Sequence, residues 1–243
     1  MLWLQRRLMF FPEVLAADDA LSFSVPHEER FFASPTGHRL HAVVVRAPSV
    51  KRGTILYWHG NAGSVRSWGE VGAQLAPLGF DVVVMDYAGY GKSTGTLSER
   101  SMLRDAQAVY DALEKERAPT EELVVFGRSL GSGVAMFLAA KNRPSRLLLE
   151  TPYASIVDVA KRLLPWVPSL LVRIKLPSDA WLREVRCPVH VFHGDADEVI
   201  PLASAQLLTP LPPQSTFTVV RGGHHNDLAS FAAYREALAR ALR

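Results

Sequence analysis

One turn constrains this chain more than any other feature. Leu123–Phe126 is a short apolar run of β type, and Leu130–Lys141 is a helical segment rich in small residues. Only Gly127-Arg128-Ser129 separates them. A strand that breaks directly into a helix at Gly-x-Ser-x-Gly holds the serine in strained backbone, with its hydroxyl above the sheet edge. Glycines on both flanks let strand and helix approach closely, and the N–H groups at the helix start favour negative charge beside Ser129. The same pattern recurs at Gly91-Lys92-Ser93-Thr94-Gly95, but that copy lies several residues past its strand and leads into a loop and a helix cap. It also lacks the glycine five positions before Gly91 that a phosphate-binding loop requires, because position 86 is Asp86. Ser129 rather than Ser93 is the candidate nucleophile.

The rest of the chain supplies the sheet that such a turn needs. Phe31–Ala33 and Arg39–Arg46 read as an antiparallel pair joined at Thr36-Gly37. Apolar runs follow at Thr54–His59, Asp81–Met85, Leu123–Phe126, Arg146–Glu150, Val189–His193 and Thr216–Val220. Helical segments alternate with them at Val65–Leu78, Glu99–Lys115, Leu130–Lys141, Ala203–Leu211 and Leu228–Leu242. Continuous apolar strands, each followed by a helix, predict an α/β fold with a mostly parallel central sheet flanked by helices. With no repeat and no flexible linker, residues 1–243 read as one domain. Pro152–Arg186 is too long for a bare connection. Its four prolines and its run of leucines and tryptophans predict a short helical lid over residues 152–186, inserted before the penultimate strand. Trp166, Trp181 and Leu163 are its candidates for lining a substrate pocket.

Composition narrows the function classes. At 48% hydrophobic and 21% charged residues the chain is not of the disordered type. Cys187, its one cysteine, excludes an internal disulfide framework and a zinc site built on several thiolates, and it fits a reducing, cytoplasmic setting. The formal charge of +3 is spread along the chain, not gathered into the basic stripe typical of a nucleic-acid partner. No apolar run approaches the roughly 18–20 residues that span a bilayer. At the N-terminus, Leu4, Leu8 and Phe11 share a helical face beside Gln5, Arg6 and Arg7. This reads as a helix packed on its own domain, with peripheral membrane contact through residues 1–11 as the second reading.

A serine hydroxyl needs a base to take its proton. His224 and His225 lie in Gly222-Gly223-His224-His225-Asn226-Asp227, between the last strand and the last helix, at the same sheet edge as Ser129. A carboxylate must then hold the imidazole in one tautomer. His193-Gly194-Asp195-Ala196-Asp197-Glu198 follows the penultimate strand and offers three. Asp195 is placed to cap the turn, Asp197 lies further into the loop where it reaches towards the histidine, and Glu150, at the end of an earlier strand, is an outside candidate. The order serine, acid, histidine matches one known order of such triads. The oxyanion of the tetrahedral intermediate needs backbone N–H donors. Leu130, directly after the serine, supplies one. The glycine-rich turn His59-Gly60-Asn61-Ala62-Gly63 supplies the other, with Asn61 ahead of Ala62.

Together, Tyr57-Trp58-His59-Gly60-Asn61-Ala62-Gly63, Asp86–Ser93, Gly127–Gly131, His193–Pro201 and Gly223–Asp227 resemble the α/β-hydrolase superfamily. The likeness is to its small serine-hydrolase branch of serine aminopeptidases, lysophospholipases and acyl-protein thioesterases, and it covers nearly the whole chain. The branch's His-Gly-x-x-Asp-x-x-Val-Pro pattern picks Asp197, with Ile200 where valine is usual. Its Gly-His-Asn-Asp pattern picks His225, with His224 where glycine is usual. The resemblance implies the α/β-hydrolase fold, no metal and no organic cofactor, and a structural role for Asp86–Ser93. It also implies a serine hydrolase cleaving carboxylic esters or thioesters of a small-molecule or lipid-like acyl substrate. Peptidase, aminopeptidase or lysophospholipase activity and a non-catalytic binding protein are the alternatives. Many members of the branch carry a longer N-terminal membrane anchor, for which this chain starts too close to its core.

Overall fold

Strands form where β-branched and aromatic runs are buried on both faces, which is what a sheet covered by helices demands. The structure is a computed structural model that describes residues 10–163, 166, 168–172 and 174–243. The chain forms two compact units, divided between Val124 and Val125.

The first unit contains β1 (Phe11–Pro12), β2 (Glu28–Ala33), β3 (Arg39–Val45), β4 (Gly53–Trp58) and β5 (Ala62–Gly63). After these come α1 (Val65–Trp68), α2 (Glu70–Leu75), β6 (Phe80–Met85) and α3 (Glu99–Glu116). Every residue of β4 and β6 is buried, and the two pair in parallel from Gly53 against Phe80 to Trp58 against Met85. β3 joins β6 antiparallel, and β2 joins β3 antiparallel across the expected hairpin. α3 starts with a capping box between Ser98 and Ser101 and buries Met102, Ala106, Val109, Tyr110 and Leu113 along one face.

β7 (Glu122–Arg128) crosses the division between the units. The second unit continues with α4 (Leu130–Lys141), β8 (Arg146–Glu150), α5 (Ile156–Leu163), α6 (Ser178–Leu182), β9 (Val189–Gly194), α7 (Leu202–Ala205), β10 (Thr216–Val220) and α8 (Ala232–Ala241). Its strand order is β10-β9-β8-β7, with β8, β9 and β10 parallel. α4 is buried almost all round, so it shows no amphipathic stripe and is the most enclosed helix of this unit.

Four expected helices differ from the structure. Phe11 is not on a helix: with Pro12 it forms β1, parallel to Ala62–Gly63 of β5. A residue before proline is pushed towards extended backbone, which accounts for this. Residues 1–9, which carry the rest of that expectation, lie outside the described residues. The segment Val65–Leu78 is split into α1, α2 and a 3-10 turn at Ala76–Leu78. The split falls at Gly69, where an added Cβ would meet the Phe23 ring at 2.4 Å. Helix Ala203–Leu211 shortens to α7, because a run containing Pro210, Pro212 and Pro213 cannot continue it. Leu228–Leu242 breaks at Phe231, whose extended backbone separates a 3-10 turn (Leu228–Ser230) from α8.

The stretch 152–186 carries α5, a 3-10 turn at Ser169–Leu171 and α6. Asp158 of α5 accepts a hydrogen bond from Ser204 Oγ at 2.5 Å, and Trp181 of α6 packs edge-on against Phe137 of α4. No helix of the described residues is long and apolar enough to cross a membrane.

A buried carboxylate organises the first unit. Asp86 is fully enclosed and accepts from Val65 N at 2.9 Å, pairs with His41 Nδ1 at 3.0 Å and reaches His59 Nε2 at 3.3 Å. Burial by itself raises an acid's pKa, but the hydrogen bonds from His41 and then His59 outweigh it and hold Asp86 below the usual carboxylate range. A depressed acid stabilises the fold fully above its unfolded pKa and loses that contribution as pH falls through the folded value. Asp86→Asn is expected to lower unfolding free energy by about 3 kcal/mol in urea titrations at pH 7, since it leaves buried His59 without its charged partner and His41 with Glu29 alone. The deficit should shrink as the titrations are repeated at pH values approaching the folded-state pKa. A constant deficit would mean that the carboxylate's charge is irrelevant.

Candidate active site

The site is built at the carboxyl ends of β7, β8, β9 and β10. Gly127 and Ser129 make the bend. A Cβ at Gly127 would lie 2.3 Å from the Gly131 carbonyl oxygen, so no other residue allows strand and helix to come this close. Ser129 takes φ +49° and ψ −118°, in backbone space that an L side chain rarely adopts. Three hydrogen bonds hold it there. Its N–H donates to the Glu150 carbonyl at 2.9 Å, and its carbonyl accepts from Ser132 N at 2.9 Å and Ser132 Oγ at 2.7 Å.

His225 reaches this serine from the other end of the unit. Its Nε2 lies 3.0 Å from Ser129 Oγ and its Nδ1 lies 2.8 Å from Asp197 Oδ2. The side chains of His225 and Asp197 are 8% and 0% exposed. With Nδ1 donating to the carboxylate, Nε2 presents its lone pair to the serine hydroxyl, which is the arrangement a general base requires.

Asp197 is fixed by its own loop. Its Oδ1 accepts from Val199 N at 2.9 Å and Ile200 N at 2.8 Å, leaving Oδ2 for His225. Burial raises its pKa, but the His225 hydrogen bond leads the contacts that outweigh this and keep it ionised and below its usual value. His193, buried beneath, donates from Nε2 to the Ile200 carbonyl at 2.8 Å and so braces the same turn. Burial pushes the His193 pKa down, which keeps its ring neutral. Two glycines let the acid and base loops touch: a Cβ at Gly194 would sit 2.0 Å from the Gly223 carbonyl, which accepts from Ala196 N.

The other candidates are placed elsewhere. Asp195 accepts from Gly222 N at 2.6 Å and caps the turn. Glu150 does not meet His225 through its side chain; it pairs with Arg128 at 3.1 Å and accepts from Tyr234 Oη at 2.6 Å. His224 points to the surface and pairs with Glu198 at 3.0 Å. In the first unit, Ser93 Oγ accepts from His41 N at 2.8 Å and donates to the Asp86 carbonyl, as a buried structural serine does. His59 holds its own turn through Gly60 and Asp86.

The two amides expected to face an oxyanion lie in different units. Leu130 is the first residue of α4, where amides have no acceptor within the helix. Asn61 lies in the turn after β4, and its carbonyl accepts from Tyr90 Oη at 2.8 Å. The N-terminal strand laces this turn further, with Glu13 N donating to the Gly63 carbonyl and Ser64 Oγ donating to Glu13.

The residues expected to line a pocket are placed as follows. Trp166 is 78% exposed. Trp181 is half-buried, but its ring docks α6 on Phe137. The Leu163 side chain lies outside the described residues. Among the described residues no group of three or more His, Cys, Asp or Glu is arranged to hold a metal ion. Arg128 is the site residue that the sequence pattern does not single out.

Residues 49–184 match the family model described as serine aminopeptidase, S33. An uncharacterized protein of Mycobacterium tuberculosis is 32% identical over 229 residues, covering 92% of this chain and 81% of that one. The lysophosphatidylserine lipase ABHD12 of Macaca fascicularis is 36% identical over 199 residues, which is 72% of this chain and 50% of that protein. Among solved structures, the Pyrococcus furiosus esterase Pf2001 superposes with a TM-score of 0.73 at 17% identity, over 97% of this chain and 98% of the other. Its likeness concerns the fold, which is the α/β-hydrolase fold. With a family model spanning more than half of its length and a relative aligned along nearly all of it, the chain belongs to the serine aminopeptidase S33 family of α/β-hydrolases.

Proposed function

We propose that this chain is a serine hydrolase that cleaves carboxylic ester or thioester bonds through an acyl-enzyme on Ser129. The observation that carries the reading is the unbroken chain of contacts Asp197–His225–Ser129, at 2.8 and 3.0 Å and shielded from solvent. In the proposed cycle Ser129 Oγ attacks the acyl carbon while His225 Nε2 takes its proton. The N–H of Leu130 holds the oxyanion, a contribution of about 3–4 kcal/mol. His225 returns the proton to the departing alcohol or thiol. Water then attacks the acyl-enzyme, giving up a proton to His225, and Ser129 leaves with that proton as the acid is released. Asp197 holds the Nδ1 proton throughout and stays ionised.

A lipid-like acyl substrate is favoured by the similarity to lysophosphatidylserine lipases and by exposed apolar side chains in the 152–186 segment, Trp166 and Leu170 among them. In this reading the segment acts as a lid, and the chain works as one domain. Peripheral membrane contact through residues 1–11 belongs to the same reading and is supported by Phe11, which is 56% exposed. A peptidase is the second reading, favoured by the family's description. The two separate on substrates: p-nitrophenyl esters of graded chain length against aminoacyl amides.

A fluorophosphonate probe should label the wild-type chain covalently, and Ser129→Ala should abolish the labelling while Ser93→Ala retains it. Persistent labelling of the Ser129 variant would place the nucleophile elsewhere. Asp197→Asn is expected to lower kcat on the best ester about 10⁴-fold, by presenting the wrong imidazole tautomer. Asp195→Asn should stay within about threefold of wild type, since its loss removes a surface turn cap. The reverse ranking would reassign the acid.

A further inference from the structure

Arg128 occupies the variable position of the bend, yet its side chain turns back into the second unit. Its Nε lies 3.1 Å from Glu150 Oε1, with the two side chains only 14% and 8% exposed. Its Nη2 donates to the backbone carbonyl of His225 at 3.1 Å and to Asn226 Oδ1 at 3.0 Å. Glu150 is held in turn by Tyr234 Oη of α8 at 2.6 Å, and its own carbonyl accepts the Ser129 N–H. The two residues of one ion pair therefore hold two things at once: the amide of the nucleophile, through the Glu150 carbonyl, and the carbonyl of the base, through Arg128.

We infer that Arg128, anchored by Glu150, is a positioning residue that sets the distance between His225 and Ser129. The inference rests on the reading of these two residues as base and nucleophile. Arg128 grips the turn that carries His225 at His225 and Asn226, and Tyr234 ties the following helix to the same carboxylate. A guanidinium suits this because one flat group keeps its charge 3.1 Å from the carboxylate while Nη2 donates to the turn. An ammonium is a single point and cannot span both sides.

Lysine therefore separates charge from geometry. Arg128→Lys keeps a cation beside buried Glu150 but loses the fork, so it should fold and melt near wild type. Its kcat on p-nitrophenyl butyrate should fall about 100-fold, the scale expected for a displacement near 1 Å, with KM within about twofold. The downfield proton NMR signal of the His225 Nδ1–H should broaden or shift in the same variant. Arg128→Met leaves Glu150 uncompensated and risks unfolding, so Arg128→Met/Glu150→Gln, which removes both charges, is made beside it and should show the same deficit in kcat. Full activity and an unchanged resonance in Arg128→Lys would overturn the proposal, as would wild-type kcat in the double variant. If wild type turns over no ester, the hydrolase reading fails by itself. The resonance then still decides the positioning role: perturbed in Arg128→Lys it supports that role, and unchanged it refutes it.

Discussion

The structure depends on keeping one residue in a backbone conformation it does not favour. Ser129 at φ +49° costs on the order of 1–3 kcal/mol and persists only because its surroundings over-determine it. Glycine at 127 removes the steric bar, Glu150 and Ser132 fix its amide and carbonyl, and the start of α4 is locked by Tyr153 Oη donating to the Leu130 carbonyl at 3.1 Å. The next strand end is strained as well: Thr151, directly after Glu150, has φ +46° and is wholly buried. Two adjacent strands of this unit thus end in unfavourable backbone, and the Ser129 N–H donating to the Glu150 carbonyl ties the two ends together.

Buried charge follows the same economy of partners. Removing one member of a buried pair typically costs 3–5 kcal/mol, because the other is left desolvated. Asp86 satisfies this rule with two histidines and a backbone amide; Asp197 does so with His225 and two amides; Glu150 does so with Arg128 and Tyr234. Surface pairs such as Arg46–Glu28, with both side chains more than half exposed, sit at the opposite extreme and contribute little. These three carboxylates lie at or just beyond strand ends, where several elements must be held to each other at positions that regular ladders no longer control.

Much of this was legible in the residues. The apolar runs locate the strands because burial on both faces leaves no alternative composition, and Gly127–Gly131 locates the bend because only glycine tolerates a contact of 2.3 Å. Asp195 and Asp197 could not be ranked by distance from the strand alone. Their difference comes from which amides each accepts: Gly222 N for Asp195, and Val199 N and Ile200 N for Asp197. The helix breaks at Gly69 and Phe231 were illegible because periodicity continues through both. The break at Gly69 coincides with a neighbour, Phe23, brought close by the fold. Arg128–Glu150 was illegible for a related reason: the partners are 22 positions apart on neighbouring strands, and no local pattern announces them.

Side by side in the same two loops stand two histidine–carboxylate pairs, and their surroundings decide what each can do. His224 with Glu198 is 57% and 60% exposed, so water screens the pair and either group exchanges protons freely with solvent. Glu198 raises the His224 pKa, through a hydrogen bond that solvent can replace. His225 with Asp197 is enclosed, and the carboxylate's second oxygen is already committed to two amides. There the bond cannot be exchanged for water, the ring has one orientation, and its remaining nitrogen has one neighbour, Ser129 Oγ. The sequence Gly-Gly-His-His writes both histidines alike; burial of the second, beside the close passage of Gly194 against Gly223, is what separates an enclosed ring of fixed orientation from an ordinary surface ion pair.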